Sequence, residues 1–474
     1  MSAVGAETGV IDLSDSRPLA RVQKGYTYFG DGDVLFAKIT PCMENGKVAI
    51  ARHLRNGIGF GSTEFHVLRP ERGVDERYLF YFLTRREFRR AAKRNMTGTA
   101  GQLRVPTRFL ETTVLPLPPI LEQQRIIEVL ESLLSDLDAA MRAQEQVLEK
   151  LKRYRRAVLR AAVEGELSRE WRLAHRGQVE PAAELLARVL RERRSGWEKR
   201  RNCGNRSNDG LSARDSTKKY REPFTPYTTK LKSLSTGWHW ASVDQVSSVI
   251  VDCPHSTARF LDKGRPCIDT TCIKPGEIVR EKLRYVSEET YRQRVSRLVP
   301  QEGDIVFARE GTVGTAVVVP SDLQPCLGQR VMLMRSDSCI IPAFFQLALD
   351  SSVVRDQCRP KLTGSTVNHL NVADVKQLAI PLPPLAEQEQ IILAAEDHFS
   401  IIEHVERSLK ARLCTAQSLR QSILDKAFRG KLVPQHPDDE PATILLQSIR
   451  AKRATVPKFP PIRSHKARAE ASAK

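Results

Sequence analysis

Long apolar runs are missing from this chain. Nowhere do roughly 18 consecutive apolar residues occur, the length a membrane-spanning helix needs, so no membrane partner is expected. Met1 to Leu19 has neither the basic start nor the apolar middle of a secretory signal, which points to the cytoplasm. Cys42, Cys203, Cys253, Cys267, Cys272, Cys326, Cys339, Cys358 and Cys414 form no Cys-x-x-Cys pair. Cys253, His255, Cys267 and Cys272 cluster loosely, but at no spacing usual for zinc, so free thiols and no metal are expected. A GxxxxGK[ST] phosphate loop, a GxGxxG fingerprint and an Asn-Pro-Pro-aromatic tetrapeptide are all absent. Nucleotide hydrolysis, dinucleotide chemistry and base methylation therefore have no visible seat, and no catalytic residue is assigned. Acidic residues are also short: 56 Asp and Glu face 75 Lys and Arg, a formal charge of +19 with a pI near 9.7. Such an excess favours a polyanionic partner such as nucleic acid.

What the chain does have is a stretch that occurs twice. Pro116-Leu-Pro-Pro-Ile-Leu-Glu-Gln-Gln-Arg-Ile-Ile127 returns as Pro381-Leu-Pro-Pro-Leu-Ala-Glu-Gln-Glu-Gln-Ile-Ile392, and the offset holds without a gap to Gly165 and Gly430. The prolines suit the approach to a helix rather than its interior. Beyond them the apolar residues recur in alternating steps of three and four, with Gln144 and Arg155 filling the gaps of the first seam and Glu406 and Arg420 those of the second. Ile127, Leu130, Leu134, Leu137, Met141, Leu148, Leu151 and Val158 form one seam; Ile392, Ala395, Phe399, Ile402, Leu409, Leu413, Ala416 and Ile423 form the other. The spacing predicts helices over 120–163 and 385–428, each about 65 Å long at 1.5 Å per residue. Two equal rods with one stripe each bury those stripes against one another, and the long connection permits antiparallel pairing. Two helices each buried in its own domain would be the plainer arrangement. Gly165 and Gly430 suit the C-terminal stops.

Six segments follow from this frame. Residues 1–115 carry short β-type runs and a helix over 76–93; 116–167 and 381–432 are the helical spacers; 168–236 is a basic, partly helical and partly flexible connector; 237–380 is a second mixed unit opening at Gly237-Trp-His-Trp240; 433–474 is a basic tail, largely disordered, with a short helix at 442–453. The expected fold is α+β, two mixed and mostly β units related by an internal repeat. Gly32-Asp-Val-Leu-Phe-Ala37 and Gly303-Asp-Ile-Val-Phe-Ala308 place a turn before a buried strand that delivers Lys38 or Arg309 to its far end. Polar loops follow, bearing Asn45, Lys47 and Thr312, and the later Thr97-Gly-Thr and Thr363-Gly-Ser turns lead to Gln102 and Asn368. Cations and hydroxyls pair with phosphate and amides read adenine edges, so these residues are candidate DNA contacts. Ordinary hairpin loops and cap chemistry explain the same residues. Asp252-Cys-Pro-His-Ser-Thr257 adds His255 and Thr257 as a recognition loop or structural turn; as a nucleophilic site it lacks an orienting partner.

In this order, and duplicated, these motifs resemble the specificity subunit of type I restriction-modification enzymes over nearly the whole chain. The resemblance implies two target-recognition domains held apart by two antiparallel helices, each domain reading half of a split DNA site. It implies two methylation subunits on the helical frame, bringing S-adenosylmethionine and adenine methyl transfer, and restriction subunits using ATP and Mg. The chain itself would bind no cofactor and catalyse nothing. The competing expectation is a coiled-coil structural or interaction protein with non-specific DNA affinity. One departure stands out: aligning the anchors sets Met1 opposite about residue 272, so the first unit has no counterpart of residues 237–271. This predicts either a start further upstream or a damaged first domain with an aggregation-prone open edge.

Overall fold

The computed structural model describes residues 1–6, 9–99, 101–203, 219–229, 231–254, 256–362 and 368–455. The chain divides into two compact units, Met1–Gln146 with Leu409–Lys474, and Val147–Ser408. Each expected spacer is a single helix, Ile120–Glu164 and Leu385–Phe428. Both end on a left-handed glycine, Gly165 at φ 76° and Gly430 at φ 67°. The next N–H in each case reaches back to a carbonyl of the last turn, Glu166 to Ala161 and Lys431 to Lys426, both at 2.9 Å.

In the first unit, β1 (Thr27–Gly30) pairs with β4 (Ile58–Gly61), and β2 (Val34–Ala37) lies between β3 (Val48–Ile50) and β5 (Phe65–Leu68), all antiparallel. The expected 76–93 helix is two helices, Glu76–Thr84 and Arg86–Arg94, broken by an extended Arg85. Asp75 caps the first of them by accepting from the Arg77 N–H at 2.8 Å. Phe36, Tyr78, Phe82 and Phe88 share one core with Ile127, Leu130 and Leu134 of the first long helix and Leu424, Ala427 and Phe428 of the second. Further along the first helix Leu137 is half-buried and Asp138 pairs with Arg420, which fixes the two stretches antiparallel in this unit. Leu409 and Leu413 are half-buried on the same seam.

The second unit holds the same central motif in a larger setting. β6 (His239–Ser242) precedes β7 (Ser247–Asp252), β8 (Arg265–Ile268), β9 (Ile273–Lys274), β10 (Glu277–Ile278) and β11 (Arg284–Val286). β12 (Ile305–Ala308), β13 (Ala316–Val318), β14 (Cys326–Leu327), β15 (Val331–Ser336) and β16 (Ala379–Leu382) complete it. The principal sheet runs β13-β12-β15-β7, antiparallel throughout, so β3-β2-β5 of the first unit repeats its first three strands. Arg155 pairs with Glu403 at 3.0 Å, while Val158 and Leu159 share a cluster with Ala395, Ile392 and Phe399, so the long helices are antiparallel here too. Ile402 is fully buried, and Leu148 and Leu151 are half-buried.

One stretch departs from expectation. Helix Ala182–Cys203, inside the expected connector, buries Ala182, Leu185, Leu186 and Val189 in the same core as Trp238, Ala241 and Val243. Its charges hid the apolar stripe. Residues 204–218 and 230 of that segment lie outside the described residues. A tail helix, Ala442–Thr455, forms where 442–453 was expected.

The duplicated Glu-Gln pair explains how the helices grip the units. Gln123 is fully buried; its Nε2 donates to the carbonyls of Gly73 and Pro118, and its Oε1 accepts from the Asp75 N–H, at 2.9 to 3.0 Å. Gln388 repeats this with the carbonyls of Cys339 and Pro383 and the Ile341 N–H, at 2.8 to 3.0 Å. In both units one amide, lodged in the first turn of a long helix, satisfies the loop that starts the helix after the sheet.

Candidate nucleic-acid interface

The anchor aspartates are internal struts. Asp33 and Asp304 are each 1% exposed; each takes a two-pronged pair from an arginine on the neighbouring chain segment, Arg69 at 2.7 Å and Arg335 at 2.8 to 2.9 Å. Each also accepts a backbone N–H, from Gly30 and from Gln301. Burial, the largest single influence, raises the Asp33 carboxyl, but the Arg69 pair and the Gly30 N–H together outweigh it and hold the carboxyl below its usual range. The glycine before each aspartate has φ near 85°, a turn that side chains strain to make. The motif therefore aims the strand that follows and contacts nothing outside.

At the far end of β2 and β12 each unit presents two loops stitched by matching backbone bonds. In the first, Val105 N–H donates to Lys38 O at 2.9 Å and Thr40 N–H to Leu103 O at 3.0 Å, joining loop 38–47 to turn 97–104. In the second, Leu370 N–H donates to Arg309 O at 2.8 Å and Gly311 N–H to Asn368 O at 3.2 Å, joining loop 309–315 to the segment before β16. One backbone frame thus carries two sets of side chains.

The candidates fall into three groups. Asn45 and Gln102 are exposed on the first unit's paired loops, and Thr312 and Asn368 are exposed together in the second, on an open cleft of about 270 Å³ that Gly311, Gly314 and Arg355 help to line. Lys38 and Lys47 are half-buried, and Lys47 Nζ donates to Met1 O at 3.1 Å. Thr257 is exposed, its Oγ1 accepting from Gln329 Nε2 at 3.1 Å, whereas His255 lies outside the described residues.

Arg309 is the correction. It is 7% exposed and locked to Asp252 at 2.9 and 3.3 Å, with Glu310 at 3.3 Å beside it. A guanidinium already committed to two carboxylates has no free fork for a base or phosphate, so Arg309 ties β7 to the loop that bears Thr312. The Asp252-Cys-Pro turn correspondingly acts as a structural turn at its acid end. Cys253 is buried and its thiol pushed up by burial, Cys272 to about 11, which suits inert thiols. Among the described residues no group of three or more metal-ligating side chains forms.

Sequence reasoning missed two parts of the surface. Helix Arg86–Arg94 turns Phe88 and Ala92 inward and leaves Arg86, Arg90, Lys93 and Arg94 exposed beside loop 38–47, which it meets through Lys93 and Glu44 at 2.6 Å. The signal was present as four cations around two apolar positions at helical spacing. Arg104, the second, holds Glu64 at 2.9 to 3.1 Å and keeps that carboxyl below its ordinary range, fixing the turn that carries Gln102. In the second unit the comparable helix, Ser352–Cys358, and the turn after it have their cations engaged: Arg355 donates to Asp350 O, Arg359 pairs with Asp356 and Lys361 with Asp374.

No described helix is long and apolar enough to cross a membrane. The chain is 26% identical over 457 residues to the type I restriction enzyme EcoAI specificity subunit of Escherichia coli, covering 86% of this chain and 74% of that one. It is also 26% identical to the EcoEI specificity subunit of the same species, over 85% and 73%, and 20% identical to the MjaVIII specificity subunit of Methanocaldococcus jannaschii, over 78% and 73%. Its fold matches a solved chain from a study of complex assembly and conformational transition in a type I R-M system, with a TM-score of 0.58 and 21% identity, over 91% of this chain and 90% of that one. The model of the type I restriction modification DNA specificity domain matches residues 17–150 and 264–412, more than half of the sequence, and the chain belongs to that family.

Proposed function

We propose that this chain is the non-catalytic reader of a type I restriction-modification complex, recognising a bipartite double-stranded DNA target with one half-site for each unit. The carrying observation is the pair of stitched loops, built by matching backbone bonds at the ends of β2 and β12 yet bearing Asn45 and Gln102 in one unit and Thr312 and Asn368 in the other. Cations supply affinity through phosphates, and the amides and hydroxyls supply discrimination. In this reading two methylation subunits bind the long helices and bring S-adenosylmethionine to the target adenine. Restriction subunits bring ATP and Mg, and the chain works in the cytoplasm without a cofactor of its own.

Mapping adenine methylation in host DNA with and without the gene tests this directly. A split methylated motif that disappears on deletion is expected; an unchanged methylation pattern overturns the reading. Thr312→Ala with Asn368→Ala should alter preference at one half-site alone, whereas uniform weakening on every sequence would leave those residues as phosphate contacts. Binding by the assembled complex should fall steeply with salt, which apolar association of a coiled-coil protein would not show.

A further inference from the structure

Among the described residues three arginines are more than nine-tenths buried. Arg85 meets Glu87 and Asp425, and Arg309 meets Asp252 and Glu310. Arg294, 7% exposed, meets no carboxylate among the described residues; its Nη1 donates to Leu327 O at 2.8 Å and its Nη2 to Ser256 O. That uses two of the five N–H donors of a guanidinium. Carbonyl dipoles ease a buried charge without cancelling it, and a cation held this deep without a carboxylate costs stability. Its charge is available to an anion from outside the chain.

Helix Glu288–Arg294 starts on Ser287, which accepts from the Thr290 N–H at 3.2 Å, and it turns Tyr291 into the small core around Cys267 and Cys326. Arg294, three residues on, is buried with it. Arg294 lies on the wall of a cavity of about 160 Å³ that it shares with Gln293, Ser296 and Arg297, over an apolar floor from β7, β14 and β15. Arg297 is exposed and pairs with no carboxylate among the described residues. Asp252, the single acid among the lining residues, is already held by Arg309. The cavity is cationic on balance. It also adjoins the candidate reading loop, because the carbonyl bound by Arg294 Nη2 belongs to Ser256, beside exposed Thr257.

We propose that Arg294 and Arg297 form a phosphate seat in the second unit, which takes a backbone phosphate of the DNA strand beside the half-site. This rests on the reading of the chain as a DNA reader. Arginine forks match phosphate oxygens two at a time, which a lone ammonium does not. The bound phosphate balances the buried charge and, through Arg294, holds Ser256 and so the position from which Thr257 reads. Such a contact carries no sequence information of its own; it sets register.

The test has two arms. In the first, the full chain is titrated with inorganic phosphate against chloride at constant ionic strength and followed by hydrogen exchange. Saturable slowing at 256–258 and 294–298 is expected. Arg297→Gln, at an exposed position, should weaken that response about tenfold, and Arg294→Lys, which keeps the charge but loses the fork, should weaken it too. In the second arm, binding of the assembled complex to duplex with and without its split site is measured from low to moderate salt. Arg297→Gln should weaken binding about fivefold on both duplexes and lower the slope of log affinity against log salt by about one, with Arg297→Lys restoring both. A lowered slope with site preference intact supports the DNA backbone as the source of the phosphate. Protection by phosphate with an unchanged slope would assign the seat to free phosphate and overturn the DNA contact. An unchanged slope without protection overturns the seat altogether when the parent complex still prefers its site; a parent indifferent to sequence would instead overturn the reading beneath it.

Discussion

Replacing Gln388 by alanine should uncouple the second unit from the start of its long helix. The side chain is fully buried and makes three hydrogen bonds, accepting from Ile341 N–H and donating to the carbonyls of Cys339 and Pro383. Alanine leaves one N–H and two carbonyls without this partner. At about 1–3 kcal/mol for each buried orphan, less for carbonyls that find another donor, the expected loss is about 3–5 kcal/mol. Gln388→Glu should be no better, because a carboxylate would face the same two carbonyl oxygens with nothing to donate. All four tryptophans, at 171, 197, 238 and 240, lie within Val147–Ser408, so their fluorescence during urea unfolding reports on this unit. The midpoint should fall by about 1 M or more. A shift under about 0.3 M, or a Gln388→Glu protein as stable as the parent, would refute the assignment of the duplicated amide as a structural clamp. Gln123→Ala should loosen the first unit in the same way, seen as faster hydrogen exchange at residues 73–79.

Three further outcomes follow from single side chains. Arg309→Ala leaves Asp252 without its guanidinium and should cost the second unit about 3 kcal/mol, seen as a lower urea midpoint by tryptophan fluorescence; an unchanged midpoint would refute Arg309 as a strut. Burial pushes the Asp350 carboxyl up to about 7 against the N–H of Ala316 and the amide of Gln346, so the folded chain holds this proton more tightly than the unfolded one. Asp350 therefore costs stability increasingly from about pH 4 to pH 7 and fully above it; Asp350→Asn should be at least as stable as the parent at pH 8, with the gap closing by pH 5 in paired urea titrations. Leu130→Ala, at a fully buried seam position, should destabilise the first unit by about 2–5 kcal/mol, whereas Leu133→Ala, 41% exposed, should change stability by under about 0.5 kcal/mol in thermal melts followed by circular dichroism.

The sequence alone determined the long helices almost to the residue, 120–163 against Ile120–Glu164 and 385–428 against Leu385–Phe428, because a heptad stripe, flanking prolines and a terminal glycine are local signals. It also determined the buried strands after each Gly-Asp, and the duplication itself. The aim of Arg309 was beyond it: the spacing brought a cation to a strand end, but Asp252, 57 residues earlier, took that cation inward. The burial of Leu185 and Leu186 inside an apparently solvated basic segment was equally hidden, since a stripe that narrow reads as surface until the opposing core is known. The tertiary structure also gave the duplicated glutamines their meaning, showing both as clamps on the loop that leads into each long helix. Periodicity encodes which face of an element turns inward; which distant group meets a given charge is set by sheet order and loop contact, and those are decided only when the chain closes on itself.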